Sequence, residues 1–129
     1  MPSSESRQIA TSLRIIRIAF TGAVIGFAVL AQRLVADGSL EADVPAGVMW
    51  WANVAVLAGA LLAILAIQGR HDREPDPRRR QTLNILAWAS GETAAFFGIV
   101  HWMTVGSPIP FYVGLATMLA SFVLVPIRE

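Results

Sequence analysis

Hydrophobic residues occupy four long stretches of the chain, and short polar segments separate them. The stretches cover residues 13–36, 46–68, 82–105 and 110–125, and a hydrophilic loop fills residues 69–81. An α-helix rises about 1.5 Å per residue, so about 20 mainly apolar residues cross a hydrocarbon layer of about 30 Å. The pattern therefore predicts four membrane-spanning helices.

The first stretch carries a charge near each end. Its uncharged part, between Arg17 and Arg33, is shorter than a full span, so both side chains are expected to extend towards the lipid headgroups. The stretch runs into Gln32 and Arg33 without the small residues of a signal-peptide cleavage site. We therefore expect this segment to be retained as a helix.

Composition favours an all-α integral membrane protein. Of the 129 residues, 55% are hydrophobic and only 15% are charged, and the mean hydropathy of +0.58 is high for a soluble domain. The expected fold is a single membrane domain, residues 1–129, forming a four-helix bundle of two helical hairpins. The chain has no cysteine, which excludes disulfides and thiolate metal sites.

The arginines predict the orientation in the membrane. Four spans place both termini and the loop at 69–81 on one side, whereas an acidic connection at 37–45 lies on the other. Nine of the ten basic residues fall on the terminal side: Arg7, Arg14, Arg17, Arg70, Arg73, Arg78, Arg79, Arg80 and Arg128. Basic residues concentrate on the cytoplasmic side of membrane proteins. We therefore expect cytoplasmic termini in a multi-pass protein of the bacterial inner membrane.

The aromatic residues agree with this orientation. Five of them fall at the predicted outer ends of the spans, where amphipathic rings prefer the headgroup region: Trp50, Trp51, Trp102, Phe111 and Tyr112.

Small residues predict where the helices pack. Gly22 and Gly26 form a GxxxG pair in the first span, and Gly59 belongs to a stripe of small residues in the second. Gly91 and Gly98 lie on a similar stripe in the third span. Such residues let helix backbones approach each other closely in lipid, so all five are predicted packing positions.

Glu92 lies near the middle of the third span. A charged side chain at this depth costs at least about 2.5–3.5 kcal/mol, so an acid there is a candidate functional residue. It is expected at the flank of the small-residue stripe, facing another helix. Desolvation favours its neutral form, which could donate a hydrogen bond to Thr117, to Ser121 or to a backbone carbonyl. These three residues form the predicted ion-binding site.

Asn53 and His101 are further polar residues within the predicted spans. We expect Asn53 to bond a neighbouring helix as a structural contact. His101 lies on the opposite face of the third helix from Glu92 and is expected at the outer interface. His71 falls in the hydrophilic loop and is expected on the solvent side.

The reactive side chains argue against an enzyme. No Ser–His–acid set shares one depth, and the HExxH, GxSxG and phosphate-cradling glycine motifs are missing. The two histidines are too distant to hold a haem, so neither a cofactor nor a metal is expected. Mixed charges and two prolines make the loop at 69–81 a solvated turn rather than a nucleic-acid-binding arm, although the arginines at 78–80 could touch anionic lipid headgroups.

The sequence of residues 90–100, SGETAAFFGIV, resembles the ion-binding helix of the rotary ATP synthase proteolipid (c) subunits. In that family a mid-helix acid is followed by small residues, an aromatic residue, glycine and aliphatic residues. The turn at 73–75, Arg-Glu-Pro, is similar to the polar Arg-Gln-Pro turn of that family. The second span departs from it, with only Gly47 and Gly59 in place of a dense glycine repeat, and two further spans flank the hairpin. The chain also resembles small four-span bacterial membrane proteins of unknown function that share such a third helix.

Two functions follow as alternatives. The proteolipid resemblance implies an oligomer in which Glu92 binds and releases H⁺ or Na⁺ at a subunit interface. The alternative is a structural or accessory subunit of a larger energy-transducing membrane complex, with Glu92 as a buried hydrogen-bonding group. A small multidrug-type exporter fits less well, because such proteins carry the acid in the first helix. The expected partners are the lipid bilayer and either further copies of the chain or the larger complex, and no nucleic acid.

Overall fold

The chain folds into four helices. The structure is a computed structural model that describes Met1, residues 3–40 and residues 44–128. Within these residues the helices are α1 (Ser4–Ala36), α2 (Ala46–His71), α3 (Pro77–Val105) and α4 (Ile109–Leu124). The prediction of an all-α four-helix bundle is confirmed. Glu41 and Asp43, two acids of the predicted connection at 37–45, lie outside the described residues.

Three of the helices, α1, α2 and α3, are long and apolar enough to cross a membrane. The 16 residues of α4 make a shorter apolar helix, which at about 1.5 Å per residue covers roughly 24 Å. Length and composition therefore support the prediction of a membrane protein.

The helices continue beyond the predicted spans at one end of the bundle. The Ser3 hydroxyl caps α1, where it accepts a backbone N–H of the first turn at 3.1 Å, and the Asp76 carboxylate caps α3 in the same way at 2.9 Å. Such caps satisfy amides that have no partner within the helix. Because α2 also continues to His71, the loop predicted at 69–81 shrinks to residues 72–76.

The central helix is α3, which packs against α4, α2 and α1. The chain neighbours α1 and α2 are not a closely packed pair, so the first of the two predicted helical hairpins is wrong in its packing. Instead α1 packs against α3, and Leu13, Val24 and Ala31 of α1 are buried in the hydrophobic core. The buried positions of α3 include Ala87 and Ala95, whose small side chains allow several helices to approach it.

The two ends of the bundle differ in composition. At one end, the basic end, α1 and α3 begin and α2 and α4 end. Ion pairs join the helices there, with Glu5 bound to Arg78 at 2.7 Å and Asp72 bound to Arg128 at 2.6 Å. The opposite end carries the aromatic residues singled out in the sequence and is called the aromatic end.

Candidate functional site

Glu92 lies near the middle of α3, on the side of that helix that faces α1. It follows Trp88 by one turn, and the Arg17 guanidinium lies 5.9 Å from the Trp88 ring. It precedes Phe96 by one turn, and the Phe96 ring meets Phe27 edge-on at 5.3 Å. Residues four apart share a helix face, and Arg17 and Phe27 both belong to α1. The Glu92 side chain is half-buried at this contact.

The Glu92 carboxyl group makes no hydrogen bond or ion pair with the part of the chain that the structure describes. Its neighbours on the same helix are paired: the Ser90 hydroxyl donates to the Leu86 carbonyl at 2.9 Å and the Thr93 hydroxyl to the Ala89 carbonyl at 2.8 Å. The side chain is half-buried, and its carboxyl oxygens are not among the buried atoms that lack a partner. If α3 crosses a membrane, the open side of the group meets no water, and polar groups withdrawn from water are nearly always hydrogen-bonded. The unpaired carboxyl is therefore a candidate for a bond to a group outside this chain.

The predicted hydrogen bond from Glu92 to Thr117 or Ser121 is wrong. The Thr117 hydroxyl donates to the Val113 carbonyl at 2.9 Å, and the Ser121 hydroxyl donates to the Met118 carbonyl at 2.6 Å. A hydroxyl inside a helix readily bonds a carbonyl of the preceding turn, which satisfies it without another helix. Both hydroxyls lie on the face of α4 that meets α3, whereas Glu92 lies on the α1 side of α3. The structure therefore does not bring the three predicted site residues together.

Three glycines allow α3 and α4 to pack with their backbones in contact. A Cβ added at Gly91 or Gly98 would lie 2.7 or 2.5 Å from the α-carbon of Met118 or Phe111, respectively. A Cβ added at Gly114 would meet the backbone of α3. We call these three glycines the glycine seam. Gly114 was not among the positions predicted from the sequence.

The other three predicted packing glycines face open space. A Cβ added at Gly22, Gly26 or Gly59 would have nothing within 4 Å, so the prediction of a close contact there is wrong for the single chain. The reason is that α1 and α2 turn other residues inward. The buried positions of α2 are Met49, Asn53, Ala60, Ile64 and His71.

Asn53 and His101 form a buried polar pair between α2 and α3. The Asn53 side-chain nitrogen lies 2.6 Å from Nδ1 of His101 and also donates to the Met49 carbonyl at 3.1 Å. The edge of the Trp50 ring meets the imidazole at 5.3 Å. His101 is fully buried between the helices rather than exposed, and it lies near the end of α3, so its depth near the outer interface stays a prediction. The structure places Asn53 where it bonds a neighbouring helix.

The basic end contains a second buried polar network, which the sequence interpretation missed. His71 is buried, and its Nε2 donates to the Asn84 side-chain oxygen at 3.2 Å. The Asn84 amide donates in turn to the carbonyls of Val125 and Pro126 at 2.9 and 3.2 Å. The Trp88 indole donates to the same Val125 carbonyl at 3.1 Å. The network joins α2, α3 and the segment after α4, so the solvent-side placement of His71 is wrong.

His71 lies beyond residue 68, where the apolar run of α2 ends. Burial lowers the pKa of His71, and the nearby Arg128 guanidinium adds to this effect, while the hydrogen bond to Asn84 and the Asp72 carboxylate oppose it. The Nδ1 atom makes no hydrogen bond among the described residues and lies 3.7 Å from the Asp72 carboxylate. A neutral ring with its hydrogen on Nε2 accounts for this arrangement.

The buried position of His71 could have been read from the spacing of α2. Positions 49, 53, 60, 64 and 71 recur at steps of four and seven, which places them on one helix face. This periodicity continues past the last apolar residue into the predicted loop. The helix α2 therefore ends at its last buried position, His71, and not where its apolar run ends.

Metal binding finds no support in the geometry. Among the residues that the structure describes, no group of three or more His, Asp or Glu side chains could hold a metal ion. Comparisons with protein-family models, with curated proteins and with solved structures find no match to this chain.

Proposed function

We propose that the protein is a multi-pass membrane subunit in which Glu92 binds and releases a proton or a monovalent cation at a contact with another subunit. The observation that carries this proposal is the unpaired Glu92 carboxyl in the middle of a helix whose neighbouring hydroxyls are paired. An ionisable group at membrane depth is energetically costly, so its presence there points to a function. A bound ion or a group from a second subunit would complete its coordination.

The surroundings of Glu92 support a site at a subunit contact. Glu92 faces α1, and at the corresponding level α1 presents Gly22 and Gly26 to open space. Glycines on an exposed helix face allow another helix to approach closely in lipid. Copies of this chain or a larger membrane complex are the partners that we propose. The arginines at the basic end support a cytoplasmic location for that end, with the bacterial inner membrane as the proposed location.

The experiment is carbodiimide labelling of the purified protein in detergent and in lipid vesicles. A hydrophobic carbodiimide reacts with protonated carboxyls in apolar surroundings, so we expect it to modify Glu92, as located by peptide mass. Glu92→Gln should abolish the labelling. Glu5→Gln is the matched control, because Glu5 is an exposed acid paired with Arg78, and it should leave labelling unchanged.

Two titrations identify the ion. If Glu92 binds protons alone, labelling slows as the pH rises and does not respond to Na⁺; if it binds Na⁺, added Na⁺ protects it at constant pH. Labelling of Glu92 that responds to neither pH nor Na⁺ contradicts ion binding. Native mass measurement after gentle purification tests the assembly, since it separates a homo-oligomer from a subunit of a larger complex.

A structural role in a larger complex is the second candidate, and the open glycine face of α1 favours it equally. In that case Glu92 would donate a hydrogen bond to a partner, and Glu92→Gln would preserve the assembly. Under the ion-binding proposal Glu92→Gln also preserves assembly but removes any ion-dependent property. The two candidates therefore differ in the ion titrations rather than in the assembly.

A further inference from the structure

A cleft of about 710 Å³ opens between the end of α2 and the start of α3, at the basic end. Its volume lies within the range of about 300–1,000 Å³ that is typical of small-ligand sites. Three arginines line it, Arg70, Arg73 and Arg79, together with one acid, Glu74. The Glu74 carboxylate accepts the backbone N–H of Asp76 at 3.1 Å. The cleft therefore carries an excess of positive charge.

The arginines of the cleft have guanidinium N–H groups that are available to a ligand. Within the described residues the side chains of Arg70 and Arg73 make no hydrogen bond or ion pair. Arg79 has only a loose, exposed contact of 3.7 Å with Asp76. The neighbouring Arg80, in contrast, is held by the Glu74 backbone carbonyl at 2.8 Å. Free guanidinium groups favour phosphate, which they bind through two parallel hydrogen bonds.

The lining changes from charged to apolar along the helix axes. Leu65 and Ala66 precede Arg70 on α2, and Leu83 follows Arg79 on α3. At about 1.5 Å per residue the two leucines lie roughly 6–8 Å nearer the middle of the bundle than these arginines. A soluble phosphate would use only the charged rim, whereas a phospholipid would use both parts.

We propose that this cleft binds one phospholipid with an anionic headgroup. Its phosphate contacts the three arginines, and the first methylenes of an acyl chain lie on Leu65, Ala66 and Leu83. Basic pockets between helices at the cytoplasmic side of a membrane bind headgroups of this charge. The inference rests on the membrane placement of the helices and is independent of the role of Glu92, which lies on the α1 side of α3.

The test is native mass spectrometry of the full chain in detergent with equal amounts of phosphatidylglycerol and phosphatidylcholine. We expect one phosphatidylglycerol to be retained preferentially. Arg70→Gln/Arg73→Gln should weaken its retention by roughly 10- to 30-fold, since each arginine near the surface contributes about a factor of five. Arg7→Gln/Arg78→Gln is the control, because it removes the same charge from the basic end outside the cleft, and it should retain the lipid. Equal loss in both double variants would overturn the proposal in favour of a diffuse electrostatic attraction.

Further experiments distinguish lipid binding from the binding of a soluble phosphate and from a loss of binding caused by misfolding. Glycerol 3-phosphate at the same concentration should not displace the lipid, and Leu65→Asn should weaken lipid retention, because the exposed Leu65 contacts the acyl chain. Displacement by glycerol 3-phosphate with no effect of Leu65→Asn would assign the cleft to a soluble phosphate instead. Arg70→Lys/Arg73→Lys keeps both charges but loses the paired donors, so it should retain the lipid better than the Gln double variant and less well than the original protein. An unchanged thermal midpoint of the Gln double variant excludes a folding defect. Glu92→Gln should leave lipid selectivity unchanged, so failure of this proposal and failure of ion binding are distinguishable.

Discussion

The side-chain amide of Asn53 donates a hydrogen bond to Nδ1 of His101 across 2.6 Å, inside the contact between α2 and α3. The direction of this bond fixes the tautomer of the imidazole, because an amide N–H needs an acceptor and Nδ1 must therefore carry the lone pair. The hydrogen of the neutral ring then resides on Nε2, which has no partner among the described residues. The pair therefore joins α2 to α3 near the aromatic end, as the bond from His71 to Asn84 does at the basic end.

The first prediction is a measurable coupling between these two residues. Asn53→Ala and His101→Ala should each destabilise the protein, because each leaves the other side chain buried without its partner, at about 1–3 kcal/mol. In the double variant the losses should not add, with a coupling energy of about 0.6–1.7 kcal/mol, as for other buried bonds between membrane helices. Unfolding free energies of the original protein, the two single variants and the double variant, all measured in one detergent, give this coupling energy. Additive losses would show that the bond contributes nothing beyond packing.

His101 shows how much of this contact could be predicted. In α3, Asn84, Ala87, Gly91, Ala94, Gly98 and His101 follow one another at steps of three and four, and all six are buried. The two glycines of this series were recognised as packing positions from the sequence. The same periodicity places Asn84 and His101 on the stripe, but Asn84 was not singled out and the polarity of His101 indicated an interface. Spacing therefore identified the buried face better than side-chain polarity did.

The open position of Gly22 and Gly26 could not be predicted from the sequence alone. A GxxxG pair allows close approach but does not say which helix approaches. In this fold α3 occupies the centre, and α1 meets it through Leu13 and Val24. The choice between faces depends on how well the larger side chains fit α3, which is a property of the assembled bundle. The arrangement of the helices was therefore less predictable than their number.

The second prediction concerns the pH dependence of stability at the basic end. The pKa of His71 lies below the ordinary value of 6.5 in the folded protein because the ring is buried. Between that lowered pKa and about 6.5 the unfolded chain binds more protons, so stability rises with pH across this window and is lost as the pH falls. Thermal midpoints measured from about pH 8 to pH 5 should decrease, and they should decrease less for His71→Gln. Parallel curves for the two proteins would exclude His71 as the cause.

The third prediction compares two glycines. Gly98→Ala should destabilise the protein by about 1–3 kcal/mol, because the added methyl group would lie 2.5 Å from the α-carbon of Phe111 and the backbones must move apart. Gly59→Ala is the control, since nothing lies within 4 Å of that position. It should be neutral or stabilise the helix by up to about 1 kcal/mol. Unfolding midpoints in the same detergent decide the comparison, and equal effects would mean that the glycine seam does not limit the α3–α4 distance.

The fourth prediction separates structural from functional polar residues within α3. Asn84→Leu should destabilise the protein by about 1–3 kcal/mol, because it removes the partner of His71 and of the Val125 carbonyl. Glu92→Leu should instead stabilise it, by up to about 2–3 kcal/mol, because it removes a carboxyl that has no partner in the described chain.

Thermal unfolding should show that Asn84→Leu lowers the stability of the protein and that Glu92→Leu raises it. A gain in stability on removal of Glu92 means that this carboxyl does not hold the fold together, which is the behaviour of a residue whose role lies in function. A loss as large as that of Asn84→Leu would make Glu92 a structural group within the bundle, which contradicts both candidate functions. Both candidates place the partner of Glu92 outside the chain, so this test separates them from a purely internal structural role, and the ion titrations separate them from each other.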